Sequence, residues 1–147
     1  MTSPPPVAPA SSFVRPAIGL LAGMGVSLVI IAAGTVIAGV LTLRGAEALQ
    51  SPYPATYLEG KLAAAALGAL AGGFATSRIT AGRSLYTVVL LALILLIAAA
   101  GPAVRGANAS PGDPHWFPLA QGVVVGVAVV IGGVLERRRD AIAGRAA

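Results

Sequence analysis

Catalysis or metal binding needs nucleophiles, bases or soft donors at close spacing, and this chain supplies few. Its titratable side chains outside the arginines are five carboxylates (Glu47, Glu59, Asp113, Glu136, Asp140), one lysine (Lys61), one histidine (His115) and three tyrosines. Cysteine is absent, which rules out disulfides, thiolate metal sites and reactive thiols. A single histidine cannot hold a haem from both sides. The spacings form no nucleophile–base pair, metal cluster, phosphate loop or dinucleotide fingerprint. Gly68–Gly73 is glycine-rich but lies inside an apolar run, where no phosphate could be cradled. The chain is therefore expected to carry no catalytic residues, to need no cofactor or metal, and not to be an enzyme.

Glu59 comes nearest to a functional acid. Its position fits the first turn of a helix, where the dipole favours an anion, and Lys61 is its expected partner. His115-Trp116 could bind a ligand, but an aromatic beside a membrane span ordinarily anchors it at the interface. Asn108-Ala109-Ser110 fits a glycosylation acceptor, which Pro111 and a bacterial source would leave idle.

The elements that would position these residues are set by where charge is missing. Residues 16–43, 62–77, 84–104 and 117–135 contain no Asp, Glu, Lys or Arg. A bilayer core asks for about 20 apolar residues in a helix. With 56% hydrophobic and 10% charged residues, this 147-residue chain has too much apolar surface for a water-soluble domain. The expected fold is all-α: a polytopic four-helix transmembrane bundle over 16–136, with a disordered tail over 1–15 and a basic tail over 137–147. The Pro- and Ser-rich start cannot form a core. A cleaved signal peptide competes with a retained first span, but the apolar run is about twice a usual signal core and lacks an A-x-A site. Span 1 would be about 42 Å long, so it must tilt or enter the headgroups. Span 2 is short and rich in Ala and Gly, which suits a helix facing other helices more than lipid.

Basic residues then give orientation. With four spans, Arg15, Arg78, Arg83, Arg137, Arg138, Arg139 and Arg145 share one side, against Arg44, Lys61 and Arg105 on the other. The positive-inside rule places both termini in the cytoplasm. Arg78, Arg83, Arg137, Arg138 and Arg139 are expected to fix topology and meet lipid headgroups. The pI of about 10.8 thus reflects span flanks and not a nucleic-acid groove. Nine arginines against one lysine, with abundant Ala and Gly, point to a GC-rich bacterial genome and hence the inner membrane. Tyr53, Tyr57, Tyr86, Trp116 and Phe117 fall at span ends, where aromatic anchors belong.

Small residues recur at helical spacing. Gly19, Gly23, Ser27, Gly34 and Ala38 share a stripe broken at Ile30. Gly68 and Gly72 form one GxxxG, Gly122 and Gly126 another, with Gly133 further along. Membrane helices associate where small side chains let backbones approach, so these residues are expected to mark packing faces, within one bundle or between subunits. Ser27, Thr35, Thr87 and Gln121 within the spans need no functional account. All five acids lie at ends or in loops, leaving no intramembrane carboxylate of the kind proton-coupled transporters use.

The two hairpins look alike. Arg44–Ala48 parallels Arg105–Ala109, each followed by Ser-Pro, and Gly72-Gly73 and Gly132-Gly133 each precede an arginine (Arg78, Arg138) at the same distance. A tandem duplication would imply a pseudo-twofold axis along the membrane normal; chance likeness in an Ala/Gly/Arg-rich chain is the alternative.

Residues 53–136 resemble a loose group of small four-helix bacterial inner-membrane proteins. The shared features are Tyr57-Leu58 entering span 2, Gly72-Gly73, a basic turn, Pro114-His115-Trp116-Phe117 before span 4, and Gly132-Gly133 near its end. The resemblance implies architecture and carries no activity. In length and span count the chain is also similar to small multidrug-resistance transporters, but it lacks their Glu in the first helix. Dual-topology fluoride channels have four helices too, yet the one-sided basic bias here speaks against an inverted dimer.

The expected role is a membrane protein working by helix packing, as an accessory or scaffold subunit or a homo-oligomer. Its expected partners are the bilayer and further copies or other membrane proteins, not nucleic acid. The alternative is an oligomeric channel, holin or small transporter without an intramembrane carboxylate.

Overall fold

The computed structural model describes residues 11–43, 52–81, 85–104 and 112–146; the side chains of residues 11, 12 and 144–146 are outside that description. Four helices make up the fold: α1 (Ser11–Thr42), α2 (Ala55–Ile79), α3 (Leu85–Val104) and α4 (Phe117–Ala146). Each is long and apolar enough to cross a membrane, and the chain is a multi-pass membrane protein built as a four-helix bundle.

The helices outrun the charge-free segments. α1 begins at Ser11, inside the expected tail, and α4 continues through the arginine run to Ala146. Charge stops a span but does not stop a helix: Arg and Glu are good helix formers. α2 starts seven residues before the expected boundary because Pro54 opens it, its carbonyl accepting from the Tyr57 and Leu58 N–H groups at 3.1 and 3.2 Å. At its far end the Thr80 hydroxyl donates to the carbonyls of Thr76 (2.9 Å) and Ser77 (3.2 Å). Ala81 then turns left-handed with φ of 53°, which ends the helix.

α1 packs along α2, α2 along α4, and α4 along α3, with shorter contacts joining α3 to α1 and α2. Among the described residues the α1 and α4 backbones make no close approach, so the order around the bundle is α1–α2–α4–α3. A twofold exchanging the hairpins would set α1 and α3 on opposite flanks of the α2–α4 pair. Here α1 and α3 touch, on one flank, so the packing lacks that symmetry. The Arg44–Ala48 and Arg105–Ala109 segments that carry most of the hairpin likeness are outside the described residues, as are residues 1–10 and Arg83.

α1 and α2 interlock residue by residue. The Thr76 hydroxyl occupies the space Gly23 leaves open and donates to the Gly19 carbonyl at 3.1 Å. Ser27 fills the space at Gly72, Ile31 that at Gly68, Ala64 faces Gly34, and Ala38 faces Gly60. The stripe is thus interrupted by Ile31 and not by Ile30, and the glycine of the opposite helix accommodates the larger side chain. α2 and α4 approach more closely still. A Cβ on Gly73 would strike the backbone carbonyl of Val129, and one on Gly132 that of Leu70. On the α3 side, Gly122 faces Ala100, Gly126 faces Leu96, and Gly133 faces Val88. Ala65, Ala69, Leu91, Val125 and Val129 complete a core with almost no exposed surface.

Candidate functional site: a buried ion pair between α2 and the α3–α4 loop

Lys61 lies in the second turn of α2, on the face that meets the start of α4. Its Nζ donates to both carboxylate oxygens of Asp113, each at 2.8 Å. The two residues are 52 positions apart, and their side chains are 8% and 0% exposed, so the pair is sealed from surroundings of either kind. The ammonium also sits 4.9 Å from the centre of the Phe117 ring and 5.5 Å from that of Tyr57. Ring faces carry negative charge density and attract a desolvated cation.

Local structure explains why the two charges meet. Tyr57 and Lys61 are four apart on α2 and therefore share a face. Gly112 brings the loop against the Tyr53 ring so closely that a Cβ there would overlap the ring, and its carbonyl accepts the Tyr53 N–H at 2.8 Å. Tyr53 in turn meets Tyr57 edge-on, with ring centres 5.0 Å apart. The loop is thereby held down, and Asp113, its next residue, points at Lys61. Pro114 then accepts the Phe117 N–H at 3.0 Å and starts α4 with Phe117 facing inward.

Several expectations are corrected here. Lys61 pairs with Asp113, and Glu59 is exposed; residues two apart on a helix face different ways. Tyr57 and Phe117 are buried walls of the ion-pair site and not lipid-facing anchors, whereas Trp116 and Tyr86 are exposed at 56% and 75%. Of the described acids, Glu136 and Asp140 lie within α4, and Asp113 and Glu136 are buried. Asp113 is saturated by Lys61. Glu136 is 3% exposed, its Oε2 accepts no hydrogen bond, and the Arg139 guanidinium stands 4.0 Å from it. His115 is exposed.

Of the expected packing residues, Gly19, Gly23, Ser27, Gly34, Gly68 and Gly72 lie in the α1–α2 seam, and Gly122, Gly126 and Gly133 in the α3–α4 seam. Gly60, Gly73, Gly112 and Gly132 make equally close approaches although they stand outside those spacing motifs. Of the expected headgroup residues, Arg78, Arg138 and Arg139 are exposed at the common end of α2 and α4, and Arg137 is half-buried. Among the described residues no group of three His, Cys, Asp or Glu side chains could hold a metal. With both charged groups buried and spent on each other, the ion pair joins α2 to the loop before α4.

Comparison with protein-family models, with curated proteins and with solved structures finds no match to this chain.

Proposed function

We propose that this chain is a non-enzymatic subunit of the bacterial inner membrane, acting through its helix faces as an accessory or scaffold component, in a homo-oligomer or beside another membrane protein. The observation that carries this reading is how the interior is filled. The α1–α2 and α2–α4 seams close through glycine onto side chain or backbone, and the buried ammonium is neutralised by a carboxylate. That leaves the lipid-facing surfaces of α1, α3 and α4 as the parts able to act. Recovery in detergent-free membrane discs, followed by intact-complex mass spectrometry, is expected to give a stoichiometric mass above that of the monomer. A lone monomer would overturn the proposal.

The orientation belongs to the same proposal: both termini are cytoplasmic, supported by the seven-to-three bias of basic residues. The chain has no cysteine, so one introduced at Ala109 reports alone. It should react with an impermeant maleimide added outside intact cells. Reaction only from the cytoplasmic side would reverse the orientation.

A further inference from the structure

We propose that the outward-facing groove between α3 and α4, together with Arg138 about 10 Å further along α4, is a binding site for one anionic phospholipid. The groove holds about 430 Å³ and is lined wholly by α3 and α4. Its floor is made where Gly126 meets Leu96, since the absent side chain leaves the seam shallow on the outside. Leu93 and Val127 wall it, exposed at 50% and 54%. From Val123 to Ile131 it runs about 12 Å along α4, close to the depth of one leaflet of a bilayer core about 30 Å thick.

The course of α4 beyond the groove points to its occupant. Val127, Ile131, Val134 and Arg138 are four and three apart in turn and so share one face of α4. That face leaves the apolar groove and reaches an exposed guanidinium about 10 Å beyond Ile131. A lipid whose acyl chain fills the groove and continues along this face would bring its phosphate to that level. Arg139 is one residue, and so about 100°, further round the helix, with its guanidinium 4.0 Å from Glu136. A second copy docked in parallel across the groove would bring its own arginine run against this one, and like charges at a partly desolvated contact repel. A lipid with a negatively charged headgroup meets both the apolar wall and the cation. The site stands independently of the accessory-subunit reading.

The test is native mass spectrometry of the full chain in micelles, titrated with phosphatidylglycerol or phosphatidylcholine of equal chain length. Phosphatidylglycerol should be retained preferentially. Arg138→Gln should lower that preference about fivefold, the factor for one guanidinium near an anionic surface. Arg139→Gln should leave it unchanged. Val127→Phe and Leu93→Phe, at exposed positions that do not support the fold, should fill the groove and reduce retention of both lipids. The site is overturned if Arg139→Gln acts as strongly as Arg138→Gln, or if both groove variants bind lipid like the parent. Competition by glycerol phosphate as effective as that by the lipid would also overturn it.

Discussion

Lys61 donates from one ammonium to both oxygens of Asp113 at 2.8 Å, joining α2 to a loop 52 residues further along the chain. Two opposite charges taken out of solvent together form a neutral unit; either one alone does not. Removing one partner leaves the other buried and uncompensated, which costs about 3–5 kcal/mol, whereas an apolar pair of similar volume can be neutral or better. Lys61→Met or Asp113→Leu alone should therefore destabilise the bundle strongly, and the double variant should recover most of the loss. Unfolding free energies in micelles, arranged as a double-mutant cycle, measure this. A double variant as unstable as the sum of the singles would mean that the two charges act separately.

Glycines in this fold divide by what stands opposite them. A Cβ at Gly73 would strike the Val129 backbone, which cannot rotate away, so Gly73→Ala must separate α2 from α4. Overpacking of this kind costs about 1–3 kcal/mol. Gly25 faces open space, and Gly25→Ala should be neutral or gain up to about 1 kcal/mol from helix propensity. Equal unfolding midpoints for the two variants would contradict the α2–α4 seam as described.

Trp116 and Phe117 are neighbours in sequence with opposite surroundings. Phe117 is fully buried against the Lys61 ammonium, while Trp116 is 56% exposed and touches it edge-on, ring centres 5.8 Å apart. Phe117→Ala should cost about 3–5 kcal/mol through the cavity it leaves. Trp116→Ala should stay within about 0.5 kcal/mol, as for other exposed positions. A larger loss at Trp116 than at Phe117 would contradict the placement of Phe117 as the buried member of the pair.

The architecture was legible because it is written in runs. Four charge-free segments long enough for a bilayer leave little choice of fold, and Gly23, Gly68 and Gly72 announced a packing face by their spacing alone. Helix ends were less legible, since Arg137–Arg139 interrupt the apolar pattern but not the helix. The ion-pair site was hardest to read. Nothing local links Lys61 to Asp113, and Glu59 offered a nearer carboxylate that helical geometry then turned away. The local signals were Tyr57 four residues before Lys61 and the Gly112-Asp113 turn before an inward phenylalanine. They become meaningful only once α2 and α4 are known to be neighbours.

Thr76 and Ser77 adjoin on α2, and both are buried, at 0% and 1% exposed. The Thr76 hydroxyl donates across the seam to Gly19, whereas the Ser77 Oγ makes no hydrogen bond among the described residues. Ser77 lies one turn beyond Gly73, where α2 packs closely on α4, and its hydroxyl is enclosed. Interhelical hydrogen bonds in membranes average about 0.6 kcal/mol, so Thr76→Val should lose about that much while keeping its shape. An unpaired buried hydroxyl carries its desolvation penalty without return, so Ser77→Ala should be neutral or up to about 1 kcal/mol more stable. The two neighbouring substitutions are therefore expected to differ in sign. Measured side by side in the same micelles, a loss at Ser77 exceeding that at Thr76 would show that the Ser77 hydroxyl has a partner in the membrane.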